Sequence, residues 1–343
     1  MALQPPATSP DMLYRPLGAS GLKISAITLR LGPEPEDRNS ATARYDTVRH
    51  ALQHGITHYT LAPNLPSSPS RGTTQILPSP LQYRLRRHRD QIVLSAHPPY
   101  GFPWPECLGL NSRKHLTTAL DGLLASLETD YMDLFCAYRY DPRTPLNETA
   151  AALADAVHHG KALHVGVAAW APAPTRTLAA LLNSHGVPLT AHQSAFSLTR
   201  PQASDGLLET LHSTGTGCIA HLPHRSRPLQ PHRSPYGPPA PCSAETDHPA
   251  DLPAPTQHAL RQLATARGQT LPQLAVSWAL QQPTVSSTAV TACHPSCLNH
   301  HLYALNHLTF TPDEHIAIST LQADRHQSPA DTHHPPPLST QPR

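Results

Sequence analysis

Charged residues are scarce in this chain of 343 residues, where they make up 14% of the sequence against about 25% in ordinary globular domains. Lysine is especially rare: only Lys23, Lys114 and Lys161 occur, and the rest of the 25 basic residues are arginine. The formal net charge is only +2, so electrostatics gives no reason to expect a nucleic-acid partner. No apolar run approaches the roughly 18 residues of a membrane-spanning helix, so no membrane partner is expected.

Several familiar motifs are also missing. The six cysteines contain no CxxC pair, and their scatter in a chain of this length does not predict a disulfide framework. There is no Rossmann glycine fingerprint, P-loop, HExxH or GxSxG sequence. The first twelve residues have neither the basic nor the apolar region of a signal peptide, so the cytoplasm is the expected location.

Proline and histidine, by contrast, are abundant, with 40 and 25 copies. Residues 1–12 and 324–343 are rich in them and are predicted to be disordered tails, because they cannot bury enough apolar surface. A third such stretch, 223–254, is predicted to be a long Pro-rich loop. The folded domain is therefore predicted over 13–323.

Short apolar runs alternate with amphipathic segments along this domain. The predicted strands are 24–29, 56–61, 92–96, 131–136, 162–167, 188–192, 216–220 and 284–290. Helical periodicity occurs at 41–54, 114–128, 145–159, 174–185, 203–214, 256–267, 271–282, 296–306 and 312–322. Such alternation predicts an α/β fold with a parallel sheet, and eight strands close most simply into a (β/α)8 barrel. In such barrels the chemistry lies at the carboxyl ends of the strands.

Several segments carry a family resemblance. They include YRPLGASGLKISAITLRLG (14–32), HALQHGITHYTLAPN (50–64) and the long stretch 111–167. The chain resembles the aldo-keto reductase family over roughly 14–322, in the branch of glyceraldehyde-3-phosphate-type reductases and potassium-channel β-subunits. The resemblance implies a TIM barrel with a short N-terminal β-hairpin. It also implies NADPH bound in extended form and hydride transfer to a carbonyl.

All four catalytic positions that the resemblance assigns carry other residues. The family's aspartate, tyrosine, lysine and histidine positions fall on Thr60, Leu65, His97 and Tyr138. Leu65 has no proton to donate and Thr60 carries no charge, and losing a single preorganised donor typically costs about 10²–10³ in rate. These substitutions predict an impaired or inactive reductase.

The cofactor positions are changed as well. The family's Ser-Asn pair falls on Ala168 and Ala169, and its glutamine falls on Gln193. Its stacking aromatic residue falls on His221, its glycine on Thr291 and its phosphate-binding arginine on His294. Only Gln193 keeps its type, and a mostly neutral histidine cannot grip a phosphate as arginine does. Arg30 stands where the family has a small residue and is expected to intrude on the pocket. NADPH is thus implied by the resemblance, although most of the residues that would hold it are replaced.

Three functional hypotheses remain open. The first is an impaired or inactive reductase, and the second is a non-enzymatic ligand-binding or regulatory subunit. The third is a working reductase in which Tyr138 donates the proton and His97 tunes it. The partners that these hypotheses allow are a small carbonyl compound and a second copy of the chain. No metal is expected, because the histidines near His294 and Cys297 are interpreted as surface residues.

Overall fold

Eight parallel strands form a closed barrel in the computed structural model. The structure describes residues 11–31, 38–61, 79–98, 109–198, 206–221 and 254–323. An antiparallel hairpin, β1 (Tyr14–Pro16) and β2 (Lys23–Ser25), precedes the barrel. The barrel strands are β3 (Ile27–Leu31), β4 (His58–Leu61), β5 (Val93–Ala96), β6 (Met132–Tyr138), β7 (Ala162–Ala168), β8 (Leu189–Ser194), β9 (Gly217–His221) and β10 (Val285–Val290). β10 closes onto β3, so the predicted (β/α)8 barrel and its N-terminal hairpin are both confirmed.

The first predicted strand, 24–29, spans two different elements. Its beginning belongs to the hairpin and its end to the barrel, and Ala26 joins the two. The Ala26 N–H donates to the carbonyl oxygen of Leu13 at 2.7 Å, while its own carbonyl accepts the N–H of Thr288 at 2.8 Å. Hydropathy alone cannot show this junction, because the chain stays buried on both sides of it.

The hairpin closes the bottom of the barrel. Leu17 and Ile24 pack in the same cluster as Leu134 and Ile219 from the barrel interior. Gly18 has φ +59°, and a Cβ there would come within 2.4 Å of the carbonyl oxygen of Gly215. This close approach requires a residue without a side chain.

Ten helices surround the sheet within the described residues. They are α1 (Arg38–Gln53), α2 (Ser79–Arg87), α3 (Arg113–Leu127), α4 (Leu146–His158), α5 (Pro172–Ser184), α6 (Leu207–Ser213), α7 (Ala254–Ala266), α8 (Leu271–Leu280), α9 (Pro295–Leu302) and α10 (Pro312–Ala323). Helix α2, which buries Leu85, was not predicted, since it is short and arginine-rich. None of the helices in this part of the chain has the length and apolar character needed to cross a membrane.

The strands bury both of their faces, as parallel barrel strands do. One face, with Leu29 and Leu31 on β3, packs in the large core that includes helix residues. The other face fills the barrel interior, where successive inward positions change from apolar to polar. Along β5 they read Val93, Ser95 and then His97 just past the strand. The interior is therefore polar toward the carboxyl ends of the strands.

Candidate functional site at the carboxyl ends of the strands

Four ionisable side chains meet at the carboxyl ends of the barrel strands. They are Arg30 on β3, His97 after β5, Tyr138 at the end of β6 and His221 at the end of β9. The rings of His97 and Tyr138 are stacked, with centroids 4.5 Å apart and planes inclined by 17°. The charge of Arg30 acts on all three neighbours. His97 and Tyr138 therefore lie together at the strand ends, and Arg30 lies close to both. We call these four residues the mouth cluster.

His97 is held as a neutral imidazole. Its Nδ1 lies 2.9 Å from the carbonyl oxygen of Pro98, which can only accept, so Nδ1 carries the hydrogen. Burial lowers the pKa of His97, the Pro98 carbonyl opposes this effect, and the nearby charge of Arg30 lowers the pKa further. His97 therefore does not supply the positive charge that the family's lysine would place there.

Arg30 has no neutralising partner among the described residues. None of the ion pairs or hydrogen bonds between those residues includes it. Burial lowers the pKa of its guanidinium, and the Tyr138 phenol acts in the opposite direction. Because the pKa of arginine is normally far above neutrality, Arg30 stays charged.

His221 is half-buried, and one of its ring nitrogens has no hydrogen-bond partner among the described residues. Burial is the main cause that lowers its pKa to about 3, and Arg30 and neighbouring imidazoles lower it further. Its Nε2 is shut off from solvent without a hydrogen-bond partner in the described part of the chain. The mouth cluster thus combines one cation, two neutral imidazoles and a phenol.

Gln193 lies just below this cluster and is turned into the barrel. It is buried, and its Nε2 donates to the hydroxyl oxygens of Thr60 and Ser95, each at 3.4 Å. Both of these contacts are with side chains rather than with backbone. Thr60, at the family's aspartate position, is therefore a buried neutral group whose oxygen accepts a hydrogen bond.

A row of polar side chains crosses the interior below Gln193, and sequence analysis missed it. The Oγ atoms of Ser287 and Thr28 lie 2.6 Å apart, and Thr28 Oγ1 lies 2.7 Å from His58 Nδ1. His58 Nε2 lies 2.9 Å from Ser95 Oγ. The signal was the alternation of polar residues inside otherwise apolar strands, such as Thr28 in ITLRL.

The positions of the family's Ser-Asn pair carry only methyl side chains. Ala169 has φ +56°, a left-handed conformation, and its N–H donates to the carbonyl oxygen of Gln193 at 2.9 Å. The carbonyl oxygen of Ala168 accepts the N–H of Arg139 at 3.0 Å. Asparagine adopts this backbone conformation far more readily than alanine. The bend that would suit an asparagine is therefore present without the amide.

The remaining predicted residues lie at the edge of the site or outside the described residues. Thr291 is exposed just beyond β10, and His294 is half-buried in front of α9, where its side chain makes no capping hydrogen bond. Leu65, residues 1–10 and 324–343, and most of the predicted loop 223–254 fall outside the described residues. At the inner ends of these segments the prediction was wrong, because Met12 packs against the core and Ala254 begins α7.

Cys297 and His301 are buried, because they share one face of α9 with Leu298 and Leu302, so their interpretation as surface residues was wrong. No group of three or more His, Cys, Asp or Glu side chains in the described ranges is arranged to hold a metal ion.

Comparison with known proteins identifies the family. The aldo/keto reductase family model matches residues 27–323. The chain is 33% identical over 326 residues to an L-glyceraldehyde 3-phosphate reductase of Escherichia coli O157:H7, covering 92% of this chain and 93% of the relative. It is 24% identical over 309 residues to a probable voltage-gated potassium channel subunit beta of Oryza sativa subsp. japonica, covering 86% and 92%.

A solved structure supports the same fold. A thermostable aldo-keto reductase crystallised with the inhibitor epalrestat superposes with a TM-score of 0.68 at 22% identity, covering 90% of this chain and all of that one. At this identity the likeness concerns the barrel alone. The match to the family model and the identity to the reductase relative show that this chain belongs to the aldo-keto reductase family.

Proposed function

We propose that this protein is a catalytically impaired aldo-keto reductase homologue whose barrel binds a small molecule without reducing it. One observation carries the proposal. Among the described residues of the mouth cluster, the single charge is the guanidinium of Arg30, and its ionisable neighbours are neutral imidazoles and a phenol. No carboxylate or ammonium group is among them. This arrangement differs from the charged set that the family resemblance implies.

Proton transfer is the step that these residues support poorly. Reduction of a carbonyl leaves an alkoxide, which must be protonated as it forms. Thr60 and His97 are both uncharged, so neither supplies the field that would activate a tyrosine as an acid. Removal of several members of a catalytic group costs far more than the loss of one donor, although the losses do not add.

The nicotinamide positions are also a poor fit to the cofactor that the family uses. Ala168 and Ala169 have no side-chain donors, and the amide nitrogen of Gln193 is already bonded to two hydroxyls. The oxidised nicotinamide ring is a cation, and the unpaired guanidinium of Arg30 would repel a cation at these strand ends. The residues at these positions therefore do not fit NADPH.

The test is a reductase assay with the purified full-length chain. NADPH absorbance is followed with glyceraldehyde 3-phosphate, the substrate in the name of the E. coli relative, and with simple aldehydes. We expect no oxidation above the protein-free rate. The matched control is the variant Thr60→Asp, Leu65→Tyr, His97→Lys, Tyr138→His, which restores the family's residue types. Turnover by the unmodified chain would overturn the proposal.

A working reductase is the second candidate, and one observation favours it. The Tyr138 phenol stacks on His97 and lies close enough to Arg30 for the two groups to interact electrostatically. If Tyr138 were the acid, Tyr138→Phe would abolish turnover while leaving ligand binding intact. Tyr140→Phe is the control, since Tyr140 lies near the same strand end but packs against Trp170.

A non-enzymatic subunit is the third candidate. It is favoured by the similarity to a protein named as a probable potassium channel subunit beta. This role requires a stable protein partner or a second copy of the chain. Sedimentation of the purified protein over a range of concentrations would detect self-association, and a monomer at all concentrations would count against the homo-oligomeric form.

A further inference from the structure

Arg30 differs from the other buried arginines of this chain. Arg89 pairs with Asp133 at 2.5 Å and also donates to backbone carbonyls. Arg267 pairs with Glu314, donates to two carbonyl oxygens and lies over an aromatic ring. Each of these two guanidiniums thus has a carboxylate and backbone carbonyls as partners, whereas Arg30 has neither among the described residues.

The direction of the Arg30 side chain follows from the strand that carries it. Leu29 and Leu31, on either side, pack in the outer core between sheet and helices. Thr28, two residues earlier, is hydrogen-bonded inside the barrel. Since alternate residues of a strand face the same way, Arg30 faces the barrel interior at its carboxyl-terminal end. There its charge acts on Tyr138, His97 and His221.

A second unsatisfied group lies on the same side of the barrel. The Nε2 atom of His221 is buried without a hydrogen-bond partner in the described residues. Strands β3 and β9, which carry Arg30 and His221, both border β10. At the level of His221, β10 presents only the methyl group of Ala289. The side chain at this position of the intervening strand therefore cannot hydrogen-bond His221.

A guanidinium and an imidazole nitrogen that both lack partners among the described residues are costly for a protein on its own. Buried polar groups are normally hydrogen-bonded, and buried charges are normally paired. An oxyanion would satisfy both groups at once. A carboxylate matches the planar fork of arginine through two parallel hydrogen bonds, and its single negative charge balances the single positive charge of the mouth cluster.

We propose that the barrel mouth binds the carboxylate of a small organic acid, with Arg30 as the anion-binding residue and His221 as a neutral hydrogen-bonding partner. The stacked rings of His97 and Tyr138 provide a flat surface for the organic part of such a ligand. This inference rests on the proposed function, because it names the chemical class of the molecule that the unreactive barrel binds.

The experiment is calorimetric titration of the full-length protein with pyruvate at constant ionic strength. Methyl pyruvate, which lacks the charge, and inorganic phosphate are titrated in parallel. We expect saturable binding of pyruvate and no saturable binding of methyl pyruvate. Arg30→Gln should weaken pyruvate binding at least roughly tenfold. Arg30→Lys should bind pyruvate with an affinity between those of the unmodified protein and Arg30→Gln, because lysine keeps the charge but lacks the two parallel donors of the guanidinium.

Two further measurements make the result specific. Arg261→Gln, an exposed arginine on α7, should leave binding unchanged. Arg30→Gln should raise the thermal midpoint of the ligand-free protein, since it removes an unpaired charge, whereas loss of a merely structural arginine would lower it.

Three outcomes would overturn the inference. They are absence of pyruvate binding, equal binding by Arg30→Gln, and saturable binding of phosphate alone. None of these outcomes changes the expected result of the reductase assay. Conversely, NADPH turnover would refute the proposed function but would not contradict the anion site.

Discussion

Acidification should destabilise this protein strongly, because it buries neutral histidines. His58, His115, His192 and His301 are all buried. Burial lowers the pKa of His58 to about 3 and is the main cause that lowers the pKa of the other three to about 4. In the unfolded chain each would titrate near pH 6.5.

The sign follows from proton binding. Above about pH 6.5 these imidazoles are neutral in both states and contribute nothing to the pH dependence. Below about pH 6.5 these histidines bind protons in the unfolded chain but not in the folded barrel. The free energy of unfolding therefore falls with pH until the pH reaches the pKa of each histidine in the folded state. From about pH 7 to about pH 5 each group costs about 2 kcal/mol, and the four together about 7 kcal/mol. This is comparable with the whole stability of a typical domain, about 5–15 kcal/mol.

The assay is urea unfolding, followed by circular dichroism, at about pH 7, 6 and 5. We expect the urea midpoint to fall steeply as the pH is lowered. His115→Gln should reduce the number of protons taken up on unfolding by about one, and so reduce the slope of the free energy of unfolding against pH. His158→Gln, which removes an exposed histidine, is the control and should leave the slope unchanged. A loss of less than about 2 kcal/mol over this range would refute the reasoning, because it would mean that the buried imidazoles are protonated in the folded state.

Two further substitutions test the structure. Ala169→Asn should raise the free energy of unfolding by about 1 kcal/mol, because the left-handed backbone at Ala169 suits asparagine better, and Ala169→Gly should act in the same direction. Neither variant should gain stability in urea unfolding if the conformation at this bend is ordinary. Asp133→Asn should lower stability by about 3–5 kcal/mol, because it leaves the buried Arg89 without its anion. Asp121→Asn, which breaks an exposed pair with Lys161, should cost less than about 1 kcal/mol, and equal losses would contradict the argument from burial.

The barrel could be predicted because its strands are covered on both faces. Such strands read as short apolar runs, and the helices between them keep a helical period. Two features were not predictable in the same way. The junction at Ala26 lies within one continuous apolar run, and α2 spans only nine residues, with Leu81 and Leu85 among three arginines.

The candidate site was predictable in position but not in its interactions. Strand ends bring His97 and Tyr138 together whatever their chemistry, so their approach followed from the alignment of the strands. Their stacking did not, because it depends on the Pro98 carbonyl that fixes the His97 ring. That Arg30 has no partner among the described residues is likewise a property of the surrounding elements, and no local sequence pattern encodes it.

The polar row inside the barrel has a consequence for its protons. A neutral His58 has one ring hydrogen, so its two nitrogens must play opposite roles toward Thr28 and Ser95. All hydrogen bonds in the row must then run in the same direction from donor to acceptor, and only two such arrangements exist. Because Ser287, Thr28, His58 and Ser95 belong to four consecutive strands, reversing the sense requires half the circumference of the barrel to reorient its hydrogens together.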